Sequence, residues 1–424
     1  MVSLSNVRSR DMPNVGRRRE LIMRLSRYLN VEITGQQLYL LGFTYFFTIA
    51  FLQTSMFLEF FGKNTLHDLS YLGLALILLK IFIFDKKSYI QYLATIIVLG
   101  ILAITWRTSG EFTMLPMGIL VLGAKDVDFK QIIRTYLIVG TLILMVTIVS
   151  SKIDIIRNLV YYRAGTSISR QSFGIIYPTD FAAHVLFLVM AYVYLKFKKA
   201  NWKTYLGIIV VSLLVIKFCD ARLSAYIMLL MVPVIWIGKQ AAQGNKFCKF
   251  IANFSWSTPI IFGYVTVCLG YFFTISNPIL KKIDQILSSR LYYEHVAIDK
   301  YGVSLFGRHM VEHAWGGLSG LRMTEKSPQS YFFIDSSYVR MLILYGLVVT
   351  LFVLVTMAIL AWKSSEMGEY SLACIIVLLS IAAITEQHLY DPAYDPFLIA
   401  LCAKGYFSKW QIARNNLNEF SDVD

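Results

Sequence analysis

Four polar clusters interrupt an otherwise apolar chain, and each combines side chains able to bind an anion or move a proton. The first runs from Tyr161 and Arg163 through Arg170-Gln171-Ser172-Phe173-Gly174 to Tyr177-Pro178-Thr179-Asp180, with His184 one helical turn beyond Asp180 on the same face. The second is Lys217, Asp220 and Arg222 at a tight turn. The third is the long stretch Asn277 to Tyr331, which carries Arg290, Arg308, Arg322, His295, His309 and His313 and leads into Asp335 and Tyr338. The fourth is Glu386-Gln387-His388-Leu389-Tyr390-Asp391-Pro392 with Tyr394 and Asp395. Arginine presents a planar fork to phosphate oxygens and stays charged. A carboxylate held beside it can take a proton from an attacking hydroxyl.

Plainer readings compete at several positions. Asp220 and Arg222 can form an ion pair closing a short loop, Lys217 can snorkel to the interface, and His184 can be a hydrogen-bonded interior residue. His309-x-x-x-His313 has the spacing of two ligands on one helix face but lacks the glutamate of HExxH, so no metal site is expected. Charged groups at the ends of apolar spans are costly unless paired or wet, and together they read as a site for a phosphate-bearing lipid headgroup.

The elements that position these groups follow from composition. With 57% hydrophobic and 16% charged residues over 424 positions, and a mean hydropathy of +0.59, the chain reads as an all-α polytopic integral membrane protein in the lipid bilayer. A formal charge of +14 collects in short loops and tails, where it sets orientation, so nucleic acid is not the expected partner. The five cysteines show no CxxC spacing, and neither a disulfide framework nor a metal site is indicated. Apolar windows fall near 37–58, 69–84, 89–106, 112–124, 131–150, 176–196, 203–219, 222–238, 256–275, 333–362, 370–385 and 396–411, about twelve spans. The expected organisation is a basic cytoplasmic arm (1–36), one membrane domain (37–411) with outer loops at 151–175 and 276–332, and a cytoplasmic tail (412–424). The arginine-rich first thirty residues lack the apolar core of a signal peptide. Lysine and arginine collect on one side if both termini are cytoplasmic, and all four polar clusters then face outward.

In order along the chain, the motifs Arg170-Gln171-Ser172-Phe173-Gly174, Tyr177-Pro178-Thr179-Asp180, Asp220-Ala221-Arg222-Leu223-Ser224, Ser304-Leu305-Phe306-Gly307 and Ile334-Asp335-Ser336-Ser337-Tyr338 with Leu344-Tyr345-Gly346-Leu347 resemble those of Wzy-type polysaccharide polymerases, within the O-antigen polymerase and ligase superfamily. Asp335 stands where the ligases carry histidine, which favours a polymerase. The resemblance implies a GT-C-like membrane fold in the cytoplasmic membrane of a bacterium. It also implies a metal-independent glycosyltransferase without a cofactor, acting on its outer face. The substrate would be an undecaprenyl-pyrophosphate-linked oligosaccharide, and a flippase and a chain-length regulator would be the expected partners. On this reading Asp335 is the general base, with Glu386 and His309 in reserve, and Arg163, Arg170, Arg222 and Arg290 hold pyrophosphate, with Arg222 and Arg290 favoured. Tyr177, Tyr338 and His388 line the sugar site, and Asp180 and Arg308 complete the substrate-binding set. The alternatives are an O-antigen-type ligase and a lipid-linked oligosaccharide flippase or other transporter.

Overall fold

A computed structural model describes residues 34–162, 167–326 and 331–405. Most of both terminal segments anticipated from the sequence, and Arg163, lie outside the described residues. The architecture is helical, and its one small sheet pairs β1 (Val160–Tyr162) antiparallel with β2 (Ser169–Gln171), Tyr161 opposite Arg170. The α-helices of eight or more residues are α1 (Gly35–Gln53), α2 (Lys63–Leu79, extended by a π turn to Phe84), α3 (Tyr89–Ser109), α4 (Met114–Gly123), α5 (Phe129–Lys152), α6 (Pro178–Lys196), α7 (Trp202–Cys219), α8 (Arg222–Ala242) and α9 (Lys246–Asn253). They continue with α10 (Thr258–Tyr271), α11 (Pro278–Ile286), α12 (Arg290–Tyr301), α13 (Gly317–Lys326), α14 (Ser337–Leu344), α15 (Gly346–Glu366) and α16 (Tyr370–Ala382).

Among the described residues seven helices are long and apolar enough to cross a bilayer, rather than about twelve. They are α2 with its π turn, α3, α5, α6 with the following 3-10 turn, α7, α8 and α15. The windows at 112–124, 256–275 and 370–385 form helices that are apolar but short, of 10, 14 and 13 residues. At 1.5 Å per residue none of these reaches across a hydrocarbon core of about 30 Å. The window at 333–362 is split between α14 and α15.

The last expected span, 396–411, is not α-helical where it is described. Its backbone is a 3-10 segment, Phe397–Leu401, followed by bridges from Ala403 to Lys125 and from Lys404 to Asp128. Glu386 and Lys404 thus lie at opposite ends of the bundle, and the chain between them descends through its interior. Pro392 and Pro396 lack the N–H that an α-helix needs. The backbone is satisfied locally instead: Asp391 Oδ1 accepts from Ala393 N at 2.9 Å, Asp395 Oδ1 from Phe397 N at 2.7 Å, and Tyr394 O from the Tyr136 hydroxyl at 2.5 Å. Every residue from Pro392 to Ala400 is buried, so this irregular backbone meets protein rather than lipid.

The two ends of the bundle are built differently. At one, Lys80 is buried against Asp85 at 2.7 Å and the carbonyls of Gly123 and Lys125, locking α2 to the α4–α5 connection. At the other, the end of α1 pairs with the loop before α6, Met56 N donating to Gly174 O at 2.7 Å and Ile176 N to Thr54 O at 3.0 Å. All four polar clusters gather at this second end or descend from it.

The break between α14 and α15 explains two of the motifs. Gly346 has φ +84° and Gly307 φ +78°, and the two backbones touch. Leu347 N and Val348 N, orphan donors at the start of α15, bond to Ser304 O and Leu305 O at 2.9 and 3.2 Å, while Arg308 N bonds to Ile343 O. A Cβ at Gly307 would stand 1.9 Å from Leu344 O, and one at Gly346 would stand 2.3 Å from Gly307 N. Ser304-Leu305-Phe306-Gly307 is therefore a clasp that ties the long loop to the bundle. Gly307→Ala and Gly346→Ala are each expected to cost roughly 2–4 kcal/mol, from left-handed strain and backbone collision together. The melting temperature of the detergent-solubilised protein checks this, with Gly302→Ala, where a Cβ meets only open space, as the measure of strain alone.

Candidate functional site

The site is centred on Arg290 and Asp335. Arg290 opens α12 directly after Ser288 and Ser289, both left-handed at φ 58° and 66°. That conformation is uncommon for residues with a Cβ and reverses the chain between α11 and α12. Ser289 N bonds to Asp284 O at 2.8 Å, and Tyr292 N to Asp284 Oδ1 at 3.1 Å, so one buried aspartate fixes the turn that aims the arginine. Arg290 Nε lies 3.1 Å from Asp335 Oδ2 and 3.1 Å from Thr385 O, and Nη1 donates to Leu287 O. Asp335 precedes α14 and keeps 28% of its side chain exposed, against 14% for Arg290. The pair sits in a partly exposed recess, mostly enclosed by protein.

Around it stand Asp180, His388 and Glu386. His388 Nε2 is 3.6 Å from Asp180 Oδ1, in the first turn of α6. The His388 ring stacks on Tyr394 at 3.7 Å, Tyr394 on His184 at 4.0 Å, and His184 on Phe51 at 4.0 Å, while His184 Nε2 meets Thr54 Oγ1 at 2.8 Å. This column of four rings couples the histidine at the recess to the helical core. Glu386 is buried; its Oε1 accepts from Ser224 Oγ at 2.6 Å and its carbonyl from Ser337 Oγ at 2.5 Å.

Burial raises the Asp335 carboxyl above the ordinary aspartate range; Arg290, His388 and Arg340 pull it back, and Asp180 pushes it further up. Burial likewise raises Glu386, against the pull of His388, Ser224 and Arg290. For His388 burial acts downward, but Asp180, Glu386 and Asp391 outweigh it and its pKa is raised above the usual imidazole value. The recess thus holds a proton-accepting carboxylate, a cation and a histidine poised to be charged.

The remaining residues expected at the site fall into three groups. Tyr177 and Arg170 join the recess wall. Arg170 lies 5.5 Å from the Tyr177 ring centroid and donates from Nε to Cys219 O at 3.0 Å, capping the carbonyl end of α7. Arg222, at the same end of the bundle, is about half exposed and bonded to Asp220 Oδ1 at 2.9 Å, which realises the ion-pair reading of that turn. Arg308, His309 and Tyr338 are engaged elsewhere. Arg308 is exposed and binds Ile343 O through its main chain, and His309 Nδ1 meets Ser109 O at 2.9 Å. Tyr338, expected to line the sugar site, is 1% exposed, donates to Ser380 O at 2.8 Å and packs over Gly263. His309 and His313 are on extended chain, His313 pairing with Phe332, so their spacing does not place them on a helix face.

Two features escaped the sequence. Tyr331, whose ring lies 4.6 Å from Trp315 and 5.2 Å from Tyr293, is close enough for the Asp335 and Arg290 charges to act on its hydroxyl. Arg340 Nη1 meets Glu312 Oε1 at 2.6 Å, with Phe333 under the guanidinium at 4.6 Å. An arginine inside an apparently apolar window was the available signal, because such a charge needs a partner.

Comparison of the chain with protein-family models, curated proteins and solved structures gives no significant match.

The Glu312–Arg340 pair holds the stretch before Phe332 onto α14, and removing one partner strands a buried charge. Glu312→Ala is expected to destabilise by about 3–5 kcal/mol. Glu312→Leu combined with Arg340→Met should recover most of that loss, and thermal unfolding of the single and double variants checks both.

Proposed function

We propose that this chain is a membrane glycosyltransferase of the Wzy polymerase type, moving a growing glycan from undecaprenyl pyrophosphate to the terminal sugar of another lipid-linked oligosaccharide repeat. The observation that carries the reading is the partly accessible Arg290–Asp335 pair, flanked by Asp180 and His388 at the end of the bundle where a lipid headgroup would sit. An acceptor hydroxyl attacks the anomeric carbon of the donor; the new C–O bond forms as the bond to the pyrophosphate oxygen breaks, and the electron pair leaves with that oxygen. Arg290 receives the charge that develops there, with Arg222 and Arg170 available to outer phosphate oxygens. Pyrophosphate drawing on Arg290 loosens its hold on Asp335, which takes the hydroxyl proton. Tyr331, Tyr177 and Trp315 offer aromatic rings to sugar faces. On this reading the recess faces outward from the cytoplasmic membrane, a flippase supplies the substrate and a chain-length regulator limits the product. The ligase reading shares every step except the acceptor and predicts no ladder of repeats.

A transporter is the second reading, favoured by the buried descent from Pro392 to Ala400, which is not α-helical. Purified protein given an undecaprenyl-pyrophosphate-linked repeat unit decides between them. The expected result is a product ladder, reduced at least about a hundredfold by Arg290→Ala and by Asp335→Asn, with the variants still folded. Movement of the same lipid across liposomes without a ladder would sink the polymerase.

The pH profile supplies a separate test. A base works deprotonated and burial raises the Asp335 pKa, so the rate should fall as pH drops through a value above about 3.9. Arg290 lowers that pKa, so residual activity of Arg290→Gln should be lost at a higher pH than in the wild type. An unmoved acid limb would exclude Asp335 as the titrating base.

A further inference from the structure

At the opposite end of the bundle, α6 and α7 splay apart around a cleft of about 480 Å³. Its mouth carries three lysines, Lys196, Lys199 and Lys203, all exposed. Val189, Ile208 and Val211 give it an apolar wall, beside the polar Asn201 and Thr204. Among the described residues no carboxylate lies within ion-pair distance of any of the three ammonium groups, and none lines the cleft. Gly207 on the wall leaves its Cβ direction open, with nothing within 4 Å. Tyr192 and Trp202, 43% and 67% exposed, flank the lysines as amphipathic rings do at a membrane interface.

A cationic mouth over an apolar slot, at the end of two membrane helices, matches one chemistry. The ligand must be an anion at its head and hydrocarbon below. Short surface loops that hold lysines only for solubility have no reason to place them over a slot between helices, and a soluble phosphate has no use for the apolar wall. Lys239 reinforces the mouth from α8 by bonding to the Ala200 carbonyl, which fixes the α6–α7 connection and with it the spacing of the lysines.

We infer that the α6–α7 cleft is a binding site for an anionic phospholipid of the adjoining leaflet, its phosphate held by Lys196, Lys199 and Lys203 and the start of an acyl chain lying along Val189, Ile208 and Val211. The site is separate from the Arg290–Asp335 recess and does not depend on what that recess does.

Delipidated full-length protein, titrated with phosphatidylglycerol or phosphatidylcholine and followed by native mass spectrometry, tests the inference. Wild type should retain phosphatidylglycerol in preference to phosphatidylcholine. Lys196→Gln/Lys199→Gln/Lys203→Gln should weaken that retention on the order of a hundredfold, about one lysine's surface attraction counted three times. Lys130→Gln/Lys246→Gln/Lys249→Gln, the same charge change elsewhere on the protein, should leave it within a few-fold. Gly207→Leu, which fills the slot and leaves every charge in place, should also displace the lipid. Equal retention of the two lipids, equal loss in the control triple, displacement by inorganic phosphate at matching concentration, or no effect of Gly207→Leu would each overturn the assignment.

Discussion

A charge withdrawn from water inside an apolar bundle has to be met by another, and the Arg290–Asp335 contact is where that demand organises the most structure. Desolvation of such a pair costs several kcal/mol per ion, which a single contact does not repay. Further partners share the load: Thr385 O and Leu287 O accept from the arginine, and Arg340 and His388, itself held by Asp180, lend their fields to the aspartate. These partners come from the α11–α12 turn, the start of α14, the first turn of α6 and the chain after α16. The pair therefore fixes four segments far apart in sequence.

The recess is rigid behind and open in front. Behind it the rings of His388, Tyr394, His184 and Phe51 stack in one column, and Ser224 and Ser337 hold Glu386 from two helices. Arg222, half exposed, and Arg170, bonded to Cys219 O, stand at the same end of the bundle. Positioned donors that need no reorganisation are what stabilises developing charge. The left-handed pair Ser288 and Ser289 shows how tightly the arginine is aimed, since neither residue adopts that conformation without surroundings that enforce it.

Polar satisfaction also accounts for the irregular descent after Asp391. Two prolines prevent an α-helix there, so the freed backbone groups are bound by Asp391, Asp395 and Tyr136 and the whole segment is enclosed by helices. Such a segment is tolerated at membrane depth only when protein surrounds it. Its run from Phe397 to Ala403 is apolar enough to read as the start of a span, and hydropathy alone carries no record of the difference.

The sequence by itself determined the membrane class, the long helices α2, α3 and α5 to α8, and the residues around which the recess forms. Hydropathy and helix length are local properties, and a charge beside an apolar run is visible without coordinates. Arg290, Asp335, Asp180, His388, Glu386, Tyr177 and Arg170 were legible in this way. What each one touches was decided only by the tertiary structure, because contacts such as Ser224 to Glu386 or Glu312 to Arg340 join positions far apart in the chain. The same reason moved Tyr338 into helix packing, gave His309 to Ser109, and turned the Ser304–Gly307 motif into a backbone clasp. It also made a buried 3-10 crossing from what reads as a twelfth span, since the prolines mark where a helix must stop but not what will enclose the chain that follows.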